Sequence, residues 1–400
     1  MTNSCFIQGL KTIIKNHISY IYDRCHCKNF YQNINKNVCS NNQKKILISY
    51  IDSIFNKDII NGITHTNFLE AYVIVKTFID LEYSVDVIAY DDEYNIKKML
   101  AKKYDIIFGL GKPYELACRY NKDALKIVYL TENAPEYSYN NEVGRIEYYY
   151  ERHNKKTKIT RSGLYFNNEM IRESNYGIFL GNRYNSQNFR NLMPLENLYL
   201  LNPTALINRN YKKDNNKNFN NCKKNFLWFG SFGAIHKGLD ILLDVFKNNQ
   251  DINLYIAGLN KSERWLLRDY KDCSNIIDCG FINVKSEKFL KLINKVGFVI
   301  LPSASEAMST SVLTCMKHGL IPIVTPNTCI NTENIGILLE DYKVDYIKNK
   351  LLAAANMNDG LIKQIYDNLL AEVKNKYELK YFENDFSKII FKILSKEGLK

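Results

Sequence analysis

The sequence has no long hydrophobic run. None of its 400 residues belongs to a stretch of the roughly 18 to 20 uncharged apolar residues that a membrane span requires. The amino terminus also lacks the basic region, apolar run and small-residue cleavage site of a secretory signal. We therefore expect a cytoplasmic protein whose only membrane contact would be peripheral, at the inner face.

The sequence also lacks clustered basic charge. Its 54 Lys and Arg exceed its 42 Asp and Glu and give a net charge of +12, but they form no long basic run. A diffuse excess of this kind does not form a nucleic-acid-binding arm, so we expect no nucleic-acid partner. It favours smaller anions, such as nucleotide phosphates, or acidic lipid headgroups.

Cysteine is present without a disulfide or metal pattern. The ten cysteines are scattered through a chain long enough to bury its own core, which indicates reduced thiols. Cys25-His26-Cys27, with Cys5 and Cys39 nearby, lacks the C-x₂-C spacing of a zinc knuckle, and no second pair follows. The sequence therefore predicts no metal site and no cofactor.

Residues 1–43 differ from the rest of the chain. Apolar residues recur there at helical spacing around Lys11 and Lys15, which predicts an amphipathic helix followed by an Asn-rich linker; they are Phe6, Leu10, Ile13, Ile14, Ile18 and Ile21. The helix either packs on the main body, which we favour, or lies on an anionic membrane surface.

From Lys44 onward, short apolar strands alternate with helices, which is typical of a parallel sheet covered on both faces. The first six predicted strands are Ile46–Ile51, Val85–Tyr90, Asp105–Gly109, Leu125–Leu130, Tyr176–Leu180 and Leu198–Leu201.

The alternation stops at the polar stretch DNNKNFNNCKK, residues 214–224, and then restarts. We predict an α/β fold of two tandem, doubly wound Rossmann-like domains, residues 44–205 and 225–380, joined by a linker at 206–224. Ligands of such sheets bind at the carboxyl ends of the strands, so the cleft between the two domains is the expected site.

Two segments carry candidate chemistry. In FLWFGSFGAIHKGLDILLDVF, which begins at Phe226, a buried strand runs into a glycine loop and a helix. Glycines there let the backbone approach a ligand, the helix amino terminus favours anions, and Lys237 is a candidate phosphate-binding cation. The alternative is that Lys237 and Gly238 form an ordinary surface turn.

The second segment is VILPSASEAMSTSVLTCMKHGLIPIV, which begins at Val299. Its strand ends in a serine-rich loop, and Glu306 precedes small residues suited to start a helix with amides directed into the cleft. A helix cap is the alternative role for Glu306.

Together with LYIAG and IIDCGFI, in the same order and spacing, these blocks resemble the retaining glycosyltransferases of the GT-B fold, the group 1 family of nucleotide-sugar transferases. The resemblance covers residues 226–339, whereas residues 45–200 are similar to the family only in their βα pattern. It implies two domains facing across a cleft, with a terminal helix, residues 381–400, returning to the first domain.

The resemblance also implies roles for residues. Lys237 would bind the donor's diphosphate and Glu306 the transferred sugar, without an obligatory metal, because a cation and helix dipoles stabilise the departing diphosphate. The Asp-x-Asp metal motif of the other glycosyltransferase fold is absent from the sequence. The remaining implied donor-binding residues are Gly230, Ser231, His236, Ser305, Ala307, Met308, Ser309, Thr310 and Thr314.

The sequence departs from the family pattern at three places. Thr314 replaces the second Glu of the E-x₇-E element, and a hydroxyl cannot make a charged bidentate contact with a ribose. The Arg that often precedes the KG lysine is missing, which leaves His236 as a weaker cation. The amino-terminal Gly-Gly loop is reduced to Asn61-Gly62.

The first domain is expected to supply the acceptor site and any catalytic polar group. Candidates are His65, otherwise a helix-end residue, and Glu132 beside Asn133, just past a strand. The basic aromatic stretch from Tyr148 to His153 would hold an anionic or glycolipid acceptor or would be a solvated helix end.

The function implied is that of a hexosyltransferase type of enzyme. It would move a sugar from a nucleotide-sugar donor to a carbohydrate or lipid-linked glycan, with retention, in the synthesis of cell-surface polysaccharide or lipopolysaccharide. The alternatives are a non-catalytic sugar-nucleotide-binding protein and a membrane-surface scaffold of the same fold.

Overall fold

The computed structural model of the protein describes residues 29–34, 43–55, 65–212, 217–374 and 376–399. The predicted amino-terminal helix, the Cys25–Cys27 pattern and Asn61-Gly62 lie outside the described residues. The chain forms two compact units. One is built from the described residues among 1–62 and 75–127, and the other from those among 63–74 and 128–400.

The first sheet has six strands in the order β2-β1-β3-β4-β5-β6. They are β1 (Lys45–Tyr50), β2 (Ser84–Ala89), β3 (Ile106–Gly109), β4 (Leu125–Leu130), β5 (Tyr176–Phe179) and β6 (Leu198–Leu200). Strand β1 pairs in parallel with both β2 and β3, and β5 with β6. Each strand forms where the sequence has a run of apolar residues, because a strand covered on both faces buries nearly all of its side chains.

Within the described residues, six α-helices connect or follow these strands: α1 (Thr66–Asp80), α2 (Ile96–Leu100), α3 (Gly111–Tyr120), α4 (Pro135–His153), α5 (Asn168–Arg172) and α6 (Arg183–Ser186). The sequence predicts α3 to open at Pro113, but the helix begins two residues earlier. Helix α4 is the longest at 19 residues and starts with Pro135 in its first turn, where proline's missing N–H costs nothing.

The second sheet has the order β12-β11-β10-β7-β8-β9. Its strands are β7 (Asn225–Phe229), β8 (Asn253–Ala257), β9 (Ile276–Gly280), β10 (Phe298–Leu301), β11 (Ile321–Val324) and β12 (Ile337–Leu338). Each neighbouring pair in this sheet is parallel. The predicted fold class, two Rossmann-like α/β sheets, is confirmed.

The described part of the second half contains seven α-helices: α7 (Phe219–Cys222), α8 (Leu239–Lys247), α9 (Glu287–Lys295), α10 (Thr310–Lys317), α11 (Val344–Ala355), α12 (Asp359–Lys374) and α13 (Leu379–Lys396). Helix α7 lies inside the stretch predicted as linker, because Phe219 and Cys222 are buried despite their polar neighbours. The sequence also predicts a helix at 262–269, and the structure has a 3₁₀ helix there, Lys261–Tyr270. The predicted domain limits remain a prediction.

Aromatic side chains join the elements that carry the site. The ring of Phe226 on β7 stacks on Phe298 of β10 at 5.2 Å and meets Phe246 of α8 edge-on at 5.7 Å. All three are fully buried, and burying a phenylalanine side chain stabilises a fold by about 1.5 to 3 kcal/mol. The positions of β7, β10 and α8 are therefore fixed relative to one another.

Two terminal segments are tied to the first sheet. Tyr31 forms an antiparallel bridge with Val87 of β2, so the described part of the predicted amino-terminal segment follows that strand. At the other end of the chain, the Tyr176 hydroxyl donates to Glu397 at 2.6 Å, and Lys396 lies 3.3 Å from Asn197. Among the described residues, no helix combines the length and apolarity needed to cross a bilayer.

Candidate active site

The candidate site forms where β7 and β10 end. These strands are parallel neighbours with Phe226 opposite Phe298, so their carboxyl ends lie at one edge of the sheet. The segments that follow them, residues 230–238 and 302–309, therefore meet, although about 70 residues separate them in the sequence. This is the edge where parallel sheets place ligands.

Gly238 allows the two segments to come into contact. Its φ is 69°, and a Cβ at this position would lie 2.6 Å from the carbonyl oxygen of Pro302. Only glycine adopts this conformation and this approach without strain. The Ala304 amide then donates to the His236 carbonyl at 2.8 Å, which fixes the two segments at hydrogen-bonding distance.

Lys237 and Glu306 form an ion pair between the two segments. Both side chains are about one-tenth exposed, and the Ser303 hydroxyl donates to the same Glu306 Oε1 at 3.0 Å. Burial works to raise the pKa of Glu306, but the charges of Lys237 and Arg161 outweigh it and lower the pKa to about 2. Glu306 is therefore an ionised carboxylate at neutral pH.

His236 is a packed residue and not a free cation. Its Nε2 lies 2.5 Å from the Ser305 carbonyl oxygen, and because a carbonyl only accepts, this nitrogen carries the proton. Its Nδ1 lies 3.5 Å from Oε2 of Glu142 on α4. His236 therefore joins the site to α4, and its predicted contact with a donor remains a prediction.

Glu142 fixes the loop that follows α4. Its two carboxylate oxygens accept the backbone N–H groups of Thr160, Arg161 and Ser162 at 2.7 to 3.2 Å, and the hydroxyls of Thr160 and Ser162 at 2.9 and 2.7 Å. Although burial opposes ionisation, these donors and His236 hold the pKa of Glu142 well below its usual range. The result is a tightly held turn that presents Arg161.

Arg161 brings a second cation to the site. Its guanidinium forms an ion pair with Glu132, which follows β4. Its stem lies against Gly233, where a Cβ would come within 2.5 Å of the Arg161 Cγ. Burial raises the pKa of Glu132 against the lowering effect of Arg161. Glu132, one of two predicted candidates from the first domain, is thus placed beside the glycine loop.

Several amides that the sequence predicts to face a ligand are bound within the protein. The buried carboxylate of Glu263 accepts the N–H groups of Gly233 and Ala234 at 2.9 to 3.1 Å, and Gly230 N–H donates to Ala257 at 3.1 Å. In the serine-rich loop, the amides of Glu306, Met308 and Ser309 donate to the carbonyls of Asn327, Leu180 and Thr328. Those amides would have to exchange partners to bind a donor.

Other predicted donor residues are placed differently. Thr314 lies buried on α10, where its hydroxyl accepts the Leu206 amide at 3.2 Å. Ser305 shares a 2.8 Å hydrogen bond with Ser138 of α4. Ser231 is exposed beside the glycine loop, Ala307 is buried, and Thr310 begins α10. The roles predicted for these residues toward a donor remain predictions.

His65 and the aromatic stretch of α4 are not brought into this cluster by their described contacts. His65 precedes α1, and its Nδ1 accepts the Asn67 amide at 3.3 Å, as a helix-end residue does. Arg152 binds Asp240 and Asp244 of α8, and the Tyr148 hydroxyl accepts the Val344 amide at 3.0 Å. Part of the end of α4 is therefore packed, whereas Tyr150 and Glu151 are exposed, and the predicted acceptor role remains a prediction.

Sequence reasoning missed Arg161, Glu142, Glu263 and Ser303. Pro135 and the spacing Ser138–Glu142–Arg145–Tyr149 mark one buried face of α4, but two of those residues are charged and are typical of a solvent face. Nothing in the sequence links Arg161 to Glu132 or Glu263 to Gly233, because these partners are 29 and 30 residues apart. Among the described residues, no group of three or more His, Cys, Asp or Glu side chains is arranged to hold a metal.

Several solved structures share this architecture. TarM of S. aureus, in complex with fondaparinux, alpha-GlcNAc-glycerol and UDP, aligns with a TM-score of 0.51 at 15% identity over 71% of this chain. HepE of Anabaena, in complex with UDP and glucose, aligns at 0.58 and 12% identity over 88%. WaaG, a glycosyltransferase involved in lipopolysaccharide biosynthesis, aligns at 0.55 and 12% identity over 86%.

The chain spans 55% of the length of TarM, 100% of HepE and 99% of WaaG. A comparison with curated proteins finds no match to the sequence. At these identities the structural likeness establishes the fold, which is the GT-B fold of glycosyltransferases.

A family model matches part of the chain. Residues 223–365 match the family described as glycosyl transferases group 1. The matched residues include Lys237, Glu263 and Glu306. The predicted resemblance to the group 1 family is confirmed over these residues.

Proposed function

We propose that the protein transfers a hexose from a UDP-sugar to a carbohydrate or lipid-linked glycan, with retention of anomeric configuration. The group 1 domain supports the transfer of a sugar. The choice of UDP follows TarM and HepE, whose structures were solved with UDP.

The contact between Lys237 and Glu306 carries the proposal. A nucleotide-sugar places a negative diphosphate directly beside a ring of hydroxyl groups. Lys237 offers a cation to the first of these, and Glu306, ionised through its lowered pKa, accepts hydrogen bonds from the second. Two side chains in contact therefore match two adjacent groups of one substrate.

In the proposed reaction, the bond between the sugar's anomeric carbon and the diphosphate oxygen breaks as a bond to an acceptor oxygen forms on the same face. The acceptor's proton passes to the departing phosphate oxygen. Negative charge grows on the diphosphate during this step, and Lys237 together with the amino-terminal turn of α10 stabilises it. Glu306 meanwhile holds the ring in place.

The setting we propose is the synthesis of cell-surface polysaccharide or lipopolysaccharide, as for WaaG. The acceptor would approach from the side of Glu132, which comes from the first sheet, whereas Lys237 comes from the second.

Release of UDP from UDP-glucose, UDP-galactose and UDP-N-acetylglucosamine, with and without glycan acceptors, tests the proposal. We expect one donor to turn over, with an acceptor-dependent rate, and the anomeric signal of the product in an NMR spectrum to match that of the donor. Binding of UDP without turnover of any donor would favour a non-catalytic nucleotide-binding protein. An inverted product would contradict retention alone.

A further inference from the structure

We propose that Arg161 is a second diphosphate-binding cation, supplied by a loop outside the family-matched residues 223–365. The inference rests on the proposed function, since it concerns the same donor. It adds a specific residue, located 62 positions before the first matched residue, to the site that Lys237 and Glu306 form.

The need for a second cation follows from the contacts of the glycine loop. A nucleoside diphosphate brings at least two negative charges, whereas Lys237 is a single charge already paired with Glu306. The amides of Gly233 and Ala234 donate to Glu263. The loop backbone therefore has fewer N–H donors available to an incoming phosphate than glycine loops usually have.

Arg161 lies where a second cation would contact the diphosphate. Its aliphatic stem covers Gly233, so the guanidinium lies over the loop that leads to Lys237. Its charge acts on Glu306 as well as on its partner Glu132. Its guanidinium lies 5.8 Å from the Tyr165 ring, and a guanidinium has five donors in a planar fork that matches phosphate oxygens.

The backbone under Arg161 is also fixed before any ligand arrives. Glu142 binds three successive N–H groups there, from Thr160 to Ser162. A residue that needs no loop ordering on binding loses less conformational entropy when it contacts a ligand.

Glu132 is the counter-ion that the diphosphate replaces. In the structure it forms the ion pair with Arg161, and burial raises its pKa against that pairing. When the diphosphate replaces Glu132 beside Arg161, the charge of the guanidinium is balanced by an anion both before and after the exchange. Glu132 then competes with the donor, so its removal is expected to strengthen the binding of a diphosphate.

The test measures, by calorimetry, the binding of UDP, GDP, ADP and their nucleosides to the full chain. For the diphosphate that binds the wild type, Arg161→Ala is expected to weaken binding about 10- to 100-fold, the range for lost charged hydrogen bonds. The corresponding nucleoside should bind with unchanged affinity. Glu132→Gln should strengthen diphosphate binding severalfold.

The double variant Arg161→Ala with Glu132→Gln separates contact from neutralisation. If Arg161 binds the diphosphate, the double variant stays at least 10-fold weaker than Glu132→Gln alone. Full recovery would show that Arg161 serves only to neutralise Glu132, and would overturn the inference. Arg152→Ala is the matched control, because Arg152 is equally buried, with 14% exposure against 16%, and should not affect the preference for diphosphate over nucleoside.

Other outcomes are also decisive. Unchanged diphosphate affinity in Arg161→Ala, or an equal loss for the nucleoside, overturns the role of Arg161 and leaves the proposed function standing. If the wild type binds none of the three diphosphates, both fall together. If Arg161→Ala does not fold, Arg161→Lys keeps the charge without the fork, and diphosphate affinity equal to wild type would overturn the inference.

Discussion

Two clusters of buried charge adjoin α4, and they differ in how their cations are held. In the site cluster (Lys237, Glu306, Arg161 and Glu132), each cation forms its described ion pair with one carboxylate. In the helix cluster (Arg145, Arg152, Asp240 and Asp244), Arg152 pairs with both aspartates and lies 4.5 Å from the Tyr148 ring. The two arrangements are similarly buried and differ in the number of carboxylate partners for each cation.

Further contacts reinforce the helix cluster. The Tyr270 hydroxyl donates to Asp244 at 2.6 Å, and Arg145 donates to the Pro302 carbonyl at 2.7 Å with its guanidinium 4.2 Å from the Tyr342 ring. Arg152 is therefore shared by two fixed carboxylates, whereas Arg161 has one carboxylate partner and lies 5.8 Å from the Tyr165 ring. Similarly buried cations can therefore serve either the stability of the fold or the binding of a ligand. We expect the number of fixed carboxylate partners to distinguish these two roles.

The largest effect is expected in the helix cluster. Arg152→Ala leaves Asp240 and Asp244 without their shared partner, so we expect the free energy of unfolding to fall by about 3 to 5 kcal/mol. Chemical denaturation measures this change. Arg119→Ala, which breaks the pair with Glu115 through a half-exposed arginine, is the control and should cost less than about 1 kcal/mol. Equal losses would remove the distinction between the clusters.

Glu70 sharpens the comparison, because hydroxyl and amide groups hold it instead of a cation. The Thr204 N–H donates to it at 3.0 Å and the Tyr129 hydroxyl at 3.4 Å, and burial raises its pKa from 4.5 to about 7. A raised carboxyl pKa means that the folded state binds the proton more tightly than the unfolded state. The protonated Glu70 side chain therefore contributes fully to the stability of the fold below pH 4.5. This contribution is lost as the pH rises through 7.

For Glu70→Gln, we therefore expect the free energy of unfolding, relative to wild type, to rise by about 2 to 3 kcal/mol between pH 5 and pH 8. Denaturant titrations at several pH values measure it. Glu306→Gln should show no comparable slope, because Glu306, with a pKa near 2, is ionised throughout this range. A flat difference for Glu70→Gln would mean that the buried group stays charged.

Glu306→Gln tests the site cluster by activity. The amide keeps the size and one acceptor but loses the charge, so transfer should slow by about 10- to 1,000-fold, the range for one positioned electrostatic group. Binding of UDP should survive. The rate is compared at a temperature where circular dichroism shows the variant folded. Ser303→Ala, which removes only the hydroxyl partner at 3.0 Å, is the milder control. An unchanged rate would make Glu306 structural.

The smallest effect is expected at Lys237. Lys237→Ala should weaken binding of UDP by about 10-fold and leave uridine unaffected, because the lost contact is to phosphate and a charged hydrogen bond contributes about 1.5 kcal/mol or more. Isothermal calorimetry with both ligands gives the ratio. A parallel loss for uridine would place Lys237 in the packing of the loop.

The strands were predictable because a buried parallel sheet leaves a local signature. The run of β4 is apolar except for Lys126, and its predicted limits, Leu125–Leu130, match the structure. Lys237 and Glu306 were predictable because each follows such a strand within a recognisable block of sequence.

The rest of the site was not predictable because its contacts are long-range and polar. Glu142 and Arg145 are buried on α4, yet charged residues on a helix normally indicate solvent. Thr314 lies at a motif position, but the amide of Leu206, 108 residues earlier, uses its hydroxyl. Only the folded backbone brings such partners together, so no local pattern in the sequence records them.

The contacts of Glu142 with residues 160–162 affect which substitutions the neighbouring sequence can tolerate. The turn is fixed through backbone N–H groups, which every residue except proline supplies, and not through the identities of the preceding residues 154–159. That stretch can therefore vary in composition, and even in length, without moving Arg161. Because Glu142 fixes the position of Arg161, residues 154–159 can change in evolution independently of the site that Arg161 belongs to.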